Sequence, residues 1–383
     1  MAMKKFIAAI SVLAVFVVLI SNQDVLSQGC VAVRPMSCAA SGQVSNSGML
    51  EKGQWQLSSS YRYFKSFRHF RGDVEEKNRV EEGTQVENLT HAIDLGLSYG
   101  LSTRFGLALN VPVIYYDRSS LYEHYGNSLS SNPTQARFYT GAMGIGDTRL
   151  TANYSLFNPA TSAKGNISIG VGIKTPTGNS NVQDEFHRRT ANGRDSVVTR
   201  AVDQSIQLGD GGWGLNLEMS AFRQLFAKGS LVFNGFYLMN PRNVNSVPHS
   251  VADQYGARLC FYYAVLPQAG FTAGLGGRIE GIPSDDLIGK SEGFRRPGYV
   301  VSIEPTISYN KGVNFTLNVP IALYRNRTQS YSDKLRTRET GVFRIGDAAF
   351  ADYLINLVVT YKFGKKHGSM SIPTKITIPN ENL

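Results

Sequence analysis

The chain has 383 residues, of which 42% are hydrophobic, 11% aromatic and only 18% charged, and its formal net charge is +10. Beyond the N-terminus, no apolar run reaches the roughly 18 residues of a membrane-spanning helix, which excludes an internal transmembrane helix. The basic residues form neither an arginine-rich helix nor a single stripe. The charge therefore indicates solvated loops near anionic lipid head groups rather than a nucleic-acid partner.

The N-terminus has the layout of a secretory signal peptide. Residues 1–5 include two lysines, and residues 6–20 form an apolar run with Ser11 as its one polar residue. Polar residues and a small residue suitable for cleavage follow. We therefore predict a signal peptide over residues 1–27 and a periplasmic N-terminal lead-in over residues 28–53. A short membrane anchor and a lipoprotein acylated at Cys30 are the alternatives.

Export would place the three cysteines of the chain in an oxidising compartment. Cys30 and Cys38 lie close together before the first predicted strand, and an oxidising periplasm permits a disulfide between them. A pair of free thiols is the alternative. Cys260 lies within a predicted strand, where we expect it to be a buried small residue.

Residues 93–116 show how the rest of the chain is built. Two adjacent runs alternate between large apolar residues and small or polar ones, with about four residues between them. Period 2 over two such runs predicts an antiparallel hairpin. One face of the hairpin is continuously apolar, and no helical segment is predicted to cover it. We therefore predict an all-β closed barrel whose apolar face meets lipid.

The same alternation predicts about twelve strands over residues 54–363, in a single transmembrane antiparallel up-and-down β-barrel. Connections after even-numbered strands are short and those after odd-numbered strands are long, an asymmetry typical of outer-membrane barrels. An even strand number places both ends of the barrel in the periplasm, so residues 364–383 are predicted to be a periplasmic C-terminal tail. Pro112 and Pro320 fall on inward positions and are predicted to mark bulges, because proline has no N–H to donate.

The longest connections are polar or charged. They cover residues 117–140, residues 176–211 and, approximately, residues 325–350. We interpret all three as extracellular loops, since outer-membrane barrels carry their longer connections on that side.

If the aliphatic positions face lipid, the intervening positions face the lumen. Nearly every strand carries an ionisable group or an asparagine there, and one such charge against hydrocarbon at mid-depth costs about 2–4 kcal/mol. A charged constriction that filters solutes is one interpretation, and ion pairs that fill and stiffen a narrow interior are the other. The constriction candidates nearest mid-depth are Arg62, Asp94, Arg149, Glu218, Arg258 and Glu304.

Three segments resemble the outer-membrane barrels grouped as the MetA-pathway phenol-degradation, or transporter-type, family. They are residues 97–107 with the Val111-Pro112-Val113 that follows, residues 144–150, and residues 174–178. The resemblance implies an outer-membrane location and a role in passing small, including aromatic, molecules. It brings no catalytic residues.

No enzymatic activity, cofactor or metal is expected. The glycine-rich residues 144–147 and 209–212 lack the strand–loop–helix context of a phosphate site, and the scattered histidines lack metal-ligand spacing. The nearest candidates for a membrane-embedded hydrolase are Asp184, Glu185 and His187 at a predicted rim, with His91 as the one strand histidine near a rim.

These patterns predict a channel or facilitator for small solutes, including aromatic or hydrophobic compounds, in the bacterial outer membrane. Its expected partners are outer-membrane lipid, a small-molecule solute and the barrel assembly machinery. The alternative is a non-conducting surface barrel that presents loops for adhesion, and an outer-membrane hydrolase is the least favoured function.

Overall fold

The computed structural model describes residues 50–364. The predicted signal peptide, the Cys30–Cys38 pair and residues 365–383 of the predicted C-terminal tail lie outside them, whereas Gly364 belongs to the last strand. The main sheet has fourteen segments, and two strands each consist of two segments, which leaves twelve strands. In chain order they are β1 Gln54–Ser66, β2 Glu87–Gly100, β3 Phe105–Ser120, β4 Phe138–Ile145 with Arg149–Ser155, β5 Gly165–Lys174, β6 Gly214–Phe226, β7 Gly229–Met239, β8 Gln254–Leu266, β9 Phe271–Ile282, β10 Gly298–Lys311, β11 Val313–Asn318 with Ile321–Arg327, and β12 Ile355–Gly364.

The sheet closes on itself. Every strand pairs antiparallel with its neighbours in sequence, and β12 pairs with β1 from Gln54 opposite Gly364 to Tyr63 opposite Ile355. The predicted twelve-stranded antiparallel barrel is therefore confirmed. We call the side with the longer connections the long-loop end and the opposite side the short-turn end.

Side chains alternate between the two faces of the wall as period 2 requires. On β1, Leu57 is 52% exposed, whereas its neighbours Gln56 and Ser58 are buried inside the barrel. The same alternation exposes Leu95 on β2 and Leu217 on β6. The outer surface is thus an apolar belt, which suits a barrel whose outer face contacts hydrocarbon.

The prolines disturb the wall in two different ways. At Pro112, β3 stays continuous with β2, but β4 leaves the ladder over residues 146–148. The bulge that we predicted at Pro112 therefore lies on the strand that faces it, where Gly146 N–H donates to the Pro112 carbonyl at 2.8 Å.

At the second site the ladder stops rather than bulges. Pro305 of β10 and Pro320 of β11 lie at the same level, and the two strands lose their pairing over two residues on each side. Since neither proline offers an N–H, no regular ladder spans this level. The register then shifts between Val301 and Ser302, with Leu323 as the extra residue on the facing strand.

The long connections contain more regular structure than the sequence indicated. The predicted loop over residues 176–211 holds a hairpin of Gln183–Arg189 with Asp195–Ala201 and a 3-10 helix, Gln204–Ile206. The strands Arg68–Arg71, Val74–Glu75 and Ala348–Phe350 form a small sheet at the same end.

The loop predicted over residues 325–350 is corrected in two respects. Its first residues belong to β11, which continues to Arg327, and Tyr331–Thr340 is an α-helix, here α2, after a short helix α1 at Asn78–Glu81. Ser330 and Asp333 form a capping box, and Gly341 ends α2 with φ 67°, a left-handed conformation that favours glycine. Within residues 50–364, no helix has both the length and the apolar character needed to cross a membrane.

Replacing Met219 by arginine tests which face of the wall meets lipid. Met219 lies near the middle of β6 on the outer face, so Met219→Arg is expected to lower the free energy of unfolding in phospholipid bilayers by about 2–4 kcal/mol. Reversible denaturation followed by tryptophan fluorescence measures the change. Met219→Leu, which keeps the position apolar, is the control, and equal stability of the two variants would contradict a lipid-facing position.

Candidate functional site: the lumen and its mouth

All six predicted constriction residues lie on the inner side of the wall. Arg62, Asp94, Arg149, Arg258 and Glu304 are buried and Glu218 is half-buried. The structure brings Arg258 into contact with Glu304, and it places Arg62 and Asp94 on the lining of one cavity. Glu218 lies on β6 and accepts a hydrogen bond from Asn216 at 2.6 Å.

The inner wall of β8 to β10 holds a chain of ion pairs. The Arg258 guanidinium donates to Glu304 at 3.0 Å and to Asn234 at 3.1 Å. Arg278 donates to Glu280 at 2.6 Å and lies 3.6 Å from the second oxygen of Glu304. Glu304 is 0% exposed, so its charge depends on the two arginines. At this position the structure favours the interpretation of ion pairs that fill the interior.

A second cluster joins the glycine-rich segments near the bulge of β4. The Asp147 carboxylate accepts from Gly178 N–H at 3.0 Å and from Asp210 N–H at 3.2 Å. The Lys174 ammonium lies 3.9 Å from Asp147 and pairs with the Asp210 carboxylate. These contacts fasten the loop between β5 and β6 to the wall where β4 leaves its ladder.

The loops of the long-loop end fold over the lumen, and three residues hold them there. Asp203 accepts from both terminal nitrogens of Arg296, at 2.8 and 2.9 Å, and lies 3.5 Å from Arg118. Arg118 belongs to β3, Asp203 to the β5–β6 loop and Arg296 to the β9–β10 loop. We call these three residues the latch, because they tie two loops to the wall.

Each member of the latch is fixed further. Arg118, 2% exposed, donates to Glu123 at 2.8 Å and to Asn88 at 2.8 Å. Asp203 also accepts from the N–H and the hydroxyl of Ser205, at 3.0 and 2.7 Å, and so caps the 3-10 helix. Burial acts to raise the pKa of Asp203, but the charges of Arg118 and Arg296 and these hydrogen bonds hold that pKa well below its usual value.

Beneath the latch lies an inner cavity of about 150 Å³. Its wall side consists mainly of residues of β1 to β3, with Gln254 of β8 and Ile282 of β9, and its upper side consists of loop residues. The wall contributes Arg62, Phe64, Asp94, Ile114 and Tyr116, and the loops contribute Gln204, Asn245, His249, Arg295 and Arg296 among others. The lining thus combines charged groups with apolar side chains.

Above the latch lies an outer vestibule of about 480 Å³. Arg295 and Arg296 line both spaces, so these two residues form the partition between the outer vestibule and the inner cavity. The charged and aromatic residues of the vestibule are His69, Arg79, Arg118, Tyr122, Phe294, Arg295, Arg296, Arg327, Asp333, Arg336 and Asp347.

The residues considered for hydrolysis have other partners. Asp184 accepts from Gly141 N–H at 2.7 Å, whereas the His187 ring hydrogen-bonds Asp195 at 2.8 Å. His91 hydrogen-bonds Tyr61 at 2.8 Å. The described residues therefore do not assemble these side chains into one catalytic group.

No protein-family model matches the chain, and no curated protein matches it. Among solved structures, the chain is similar to the COG4313 outer membrane channel from Pseudomonas putida F1, with 14% identity and a TM-score of 0.51 over 82% of this chain and 97% of that one. It also matches the P. putida toluene transporter TodX at 11% identity and a TM-score of 0.40, over 90% and 100% of the two chains. At 14% identity, the first likeness establishes the fold alone, that of a closed antiparallel β-barrel.

Removing the Glu304 carboxylate is expected to destabilise the fold, because it leaves buried arginine charge without compensation. Glu304→Ala leaves Arg258 and Arg278 without their shared carboxylate, and we expect it to lower the free energy of unfolding by about 3–5 kcal/mol. Denaturant unfolding in detergent micelles measures this loss. The exposed pair of Lys290 and Glu292 at 3.6 Å provides the control, since Lys290→Ala is expected to cost less than about 1 kcal/mol. Equal losses in the two variants would contradict the structural role of Glu304.

Proposed function

We propose that this protein is an outer-membrane channel that passes small solutes through the lumen of its barrel. The observation that carries the proposal is the wall itself, which is closed, apolar outside and lined inside by charged and polar groups around a cavity. Such a wall places hydrocarbon-compatible side chains against lipid and leaves a hydrated route within. The long-loop end is then extracellular and the short-turn end periplasmic.

The location is supported by the ends of the apolar belt. Trp55 and Tyr99 lie in ring contact, with 4.4 Å between their centroids, at the short-turn end. Phe271 and Tyr309 make a similar pair, at 4.8 Å, at the same end. Aromatic rings with polar edges are typical of the membrane–water interface, where one part is apolar and the other hydrated.

The latch implies a channel that is narrow at rest. Asp203 holds the β5–β6 loop across the mouth, and the inner cavity beneath it is small. Passage of a solute larger than a few water molecules then requires this loop to move, so we propose that the latch controls the open fraction of the channel.

The lining bears on which solutes are passed. Phe64, Ile114 and Tyr116 share the inner cavity with Arg62 and Asp94. A purely hydrophobic compound leaves such charges without hydration or partners, which is costly. We therefore propose solutes that combine an apolar body, including an aromatic ring, with a polar group.

A second candidate function is loop display by a non-conducting barrel. It is favoured by the hairpin of Gln183–Arg189 with Asp195–Ala201, whose Val197 and Val198 are exposed at the long-loop end. Single-channel recording of the purified protein in planar bilayers decides between the two. Discrete conductance steps are expected for a channel. A barrel that shows no conductance at any tested voltage or with any tested solute would favour the loop-display function.

Neutralising Asp203 is expected to open the mouth. Asp203→Asn keeps the size of the side chain but removes the charge that holds Arg118 and Arg296. The open fraction and mean conductance should both rise by about twofold or more, because removing one partner of a buried ion pair costs about 3–5 kcal/mol. Planar-bilayer recording measures both quantities. Asp285→Asn, at a rim carboxylate that pairs with Lys334, is the control and should conduct as the parent does. Unchanged conductance of Asp203→Asn would rule out the latch.

The latch is also expected to resist mild acid. Because the folded-state pKa of Asp203 is lowered, its stabilisation is present above the unfolded value of roughly 4 and is lost only as pH falls through the lowered pKa. Conductance should therefore be the same at about pH 7 and about pH 5. A rise over that interval would assign control to another group, such as His249, whose pKa is lowered by burial.

A further inference from the structure

We propose that the outer vestibule is a capture site for small organic carboxylates, with Arg79 and Arg336 as the groups that bind the carboxylate. This rests on the proposed function, because a solute bound there would be delivered to the partition of Arg295 and Arg296. It deepens that function by naming the solute class and the residues that select it.

The charge balance of the vestibule leaves room for an anion. Six arginines line it, and five carboxylates lie among them or pair with them. The guanidinium groups therefore exceed the carboxylates by one. The arginines are Arg79, Arg118, Arg295, Arg296, Arg327 and Arg336, and the carboxylates are Glu123, Asp203, Asp286, Asp333 and Asp347.

Four of these arginines already pair with carboxylates of the protein. Arg295 pairs with Asp286 and donates to Ser250 at 2.9 Å. Arg327 pairs with Asp333 at 3.1 Å. Arg118 and Arg296 both pair with Asp203 in the latch. These four arginines therefore contribute positive potential, and their paired nitrogens are not open to a solute.

Arg79 has donor capacity to spare. Its nearest carboxylate oxygen, on Asp347, lies 3.8 Å away, beyond hydrogen-bond distance, and its Nε has no hydrogen-bond partner among residues 50–364. Asp347 is instead engaged by His69 at 2.7 Å. Burial acts to raise the pKa of Asp347, but the hydrogen bond from His69 and the charges of Arg79 and Arg296 hold that pKa well below its usual value.

Arg336 supplies the second vacant guanidinium. It is exposed on α2, and within the described part of the chain it makes no ion pair. The helix that carries it is anchored by the capping box of Ser330 and Asp333 and by the pair between Asp333 and Arg327. The contacts at the N-terminus of α2 therefore fix the position of Arg336 at the mouth.

The shape and remaining lining indicate an organic body on the anion. The volume lies within the usual range of about 300–1,000 Å³ for small-molecule sites. Tyr122 and Phe294 offer exposed ring surfaces, and the Arg296 guanidinium lies over the Phe294 ring at 4.6 Å. A guanidinium fork matches a planar carboxylate in two parallel hydrogen bonds, which a round halide does not reproduce. A carboxylate on an aromatic or other compact apolar body fits both features.

The test is calorimetric titration of the full chain in detergent micelles with benzoate, which does not depend on conduction. Benzamide is the matched neutral probe, and inorganic phosphate is the probe for a general anion site. Benzoate is expected to bind saturably, benzamide and phosphate at least about tenfold more weakly, and the double variant Arg79→Gln with Arg336→Gln to weaken benzoate binding by about tenfold or more.

Arg194→Gln is the control for loss of an arginine outside the vestibule, since Arg194 is exposed on the hairpin turn and does not line the vestibule. It should bind benzoate as the parent does. Absence of saturable benzoate binding, equal binding of benzamide or phosphate, or equal weakening in Arg194→Gln would each overturn the capture site. Saturable binding to a barrel that carries no current would support the capture site while removing the channel function, so the two failures are distinguishable.

Discussion

Everything in this structure follows from the pairing of backbone polar groups in a wall that faces hydrocarbon. In lipid, an open sheet edge leaves N–H and C=O groups without partners, at several kcal/mol each, so the sheet must close. The pairing of β1 with β12 meets that requirement. Once closure is fixed, period 2 divides every strand between an outer and an enclosed inner face. Charged residues near mid-depth then have only the inner face to occupy.

That enclosure sets the chemistry of the lumen. Charges held away from bulk water need partners, and the inner wall supplies them as ion pairs such as Arg258 with Glu304. The same rule extends to the loops, where Asp203 bridges Arg118 of the wall and Arg296 of another loop. The interior is therefore divided by its own charge pairs into an outer vestibule and an inner cavity.

The sequence allowed the strand number and the inward position of residues such as Arg62 and Glu304 to be predicted, because alternation is a local signal. It did not allow the latch to be predicted, since Arg118, Asp203 and Arg296 lie far apart in the chain, and Asp203 and Arg296 belong to loops that have no period. The sequence predicts a loop at Arg325 and Arg327 because charged residues are typical of loops, yet both side chains are buried on β11. The capping box of Ser330 and Asp333 is a local sequence signal for the start of α2.

The division of neighbouring residues between lipid and lumen is most directly tested on the closing strand. Nitroxide labels placed one at a time at Leu357, Val358, Val359 and Thr360 of β12 in bilayers report access to oxygen, which concentrates in lipid, and to a water-soluble nickel complex. Oxygen access is predicted to be high at positions 357 and 359 and low at 358 and 360, where the side chains are buried inside the barrel. Equal access at all four positions would contradict the account.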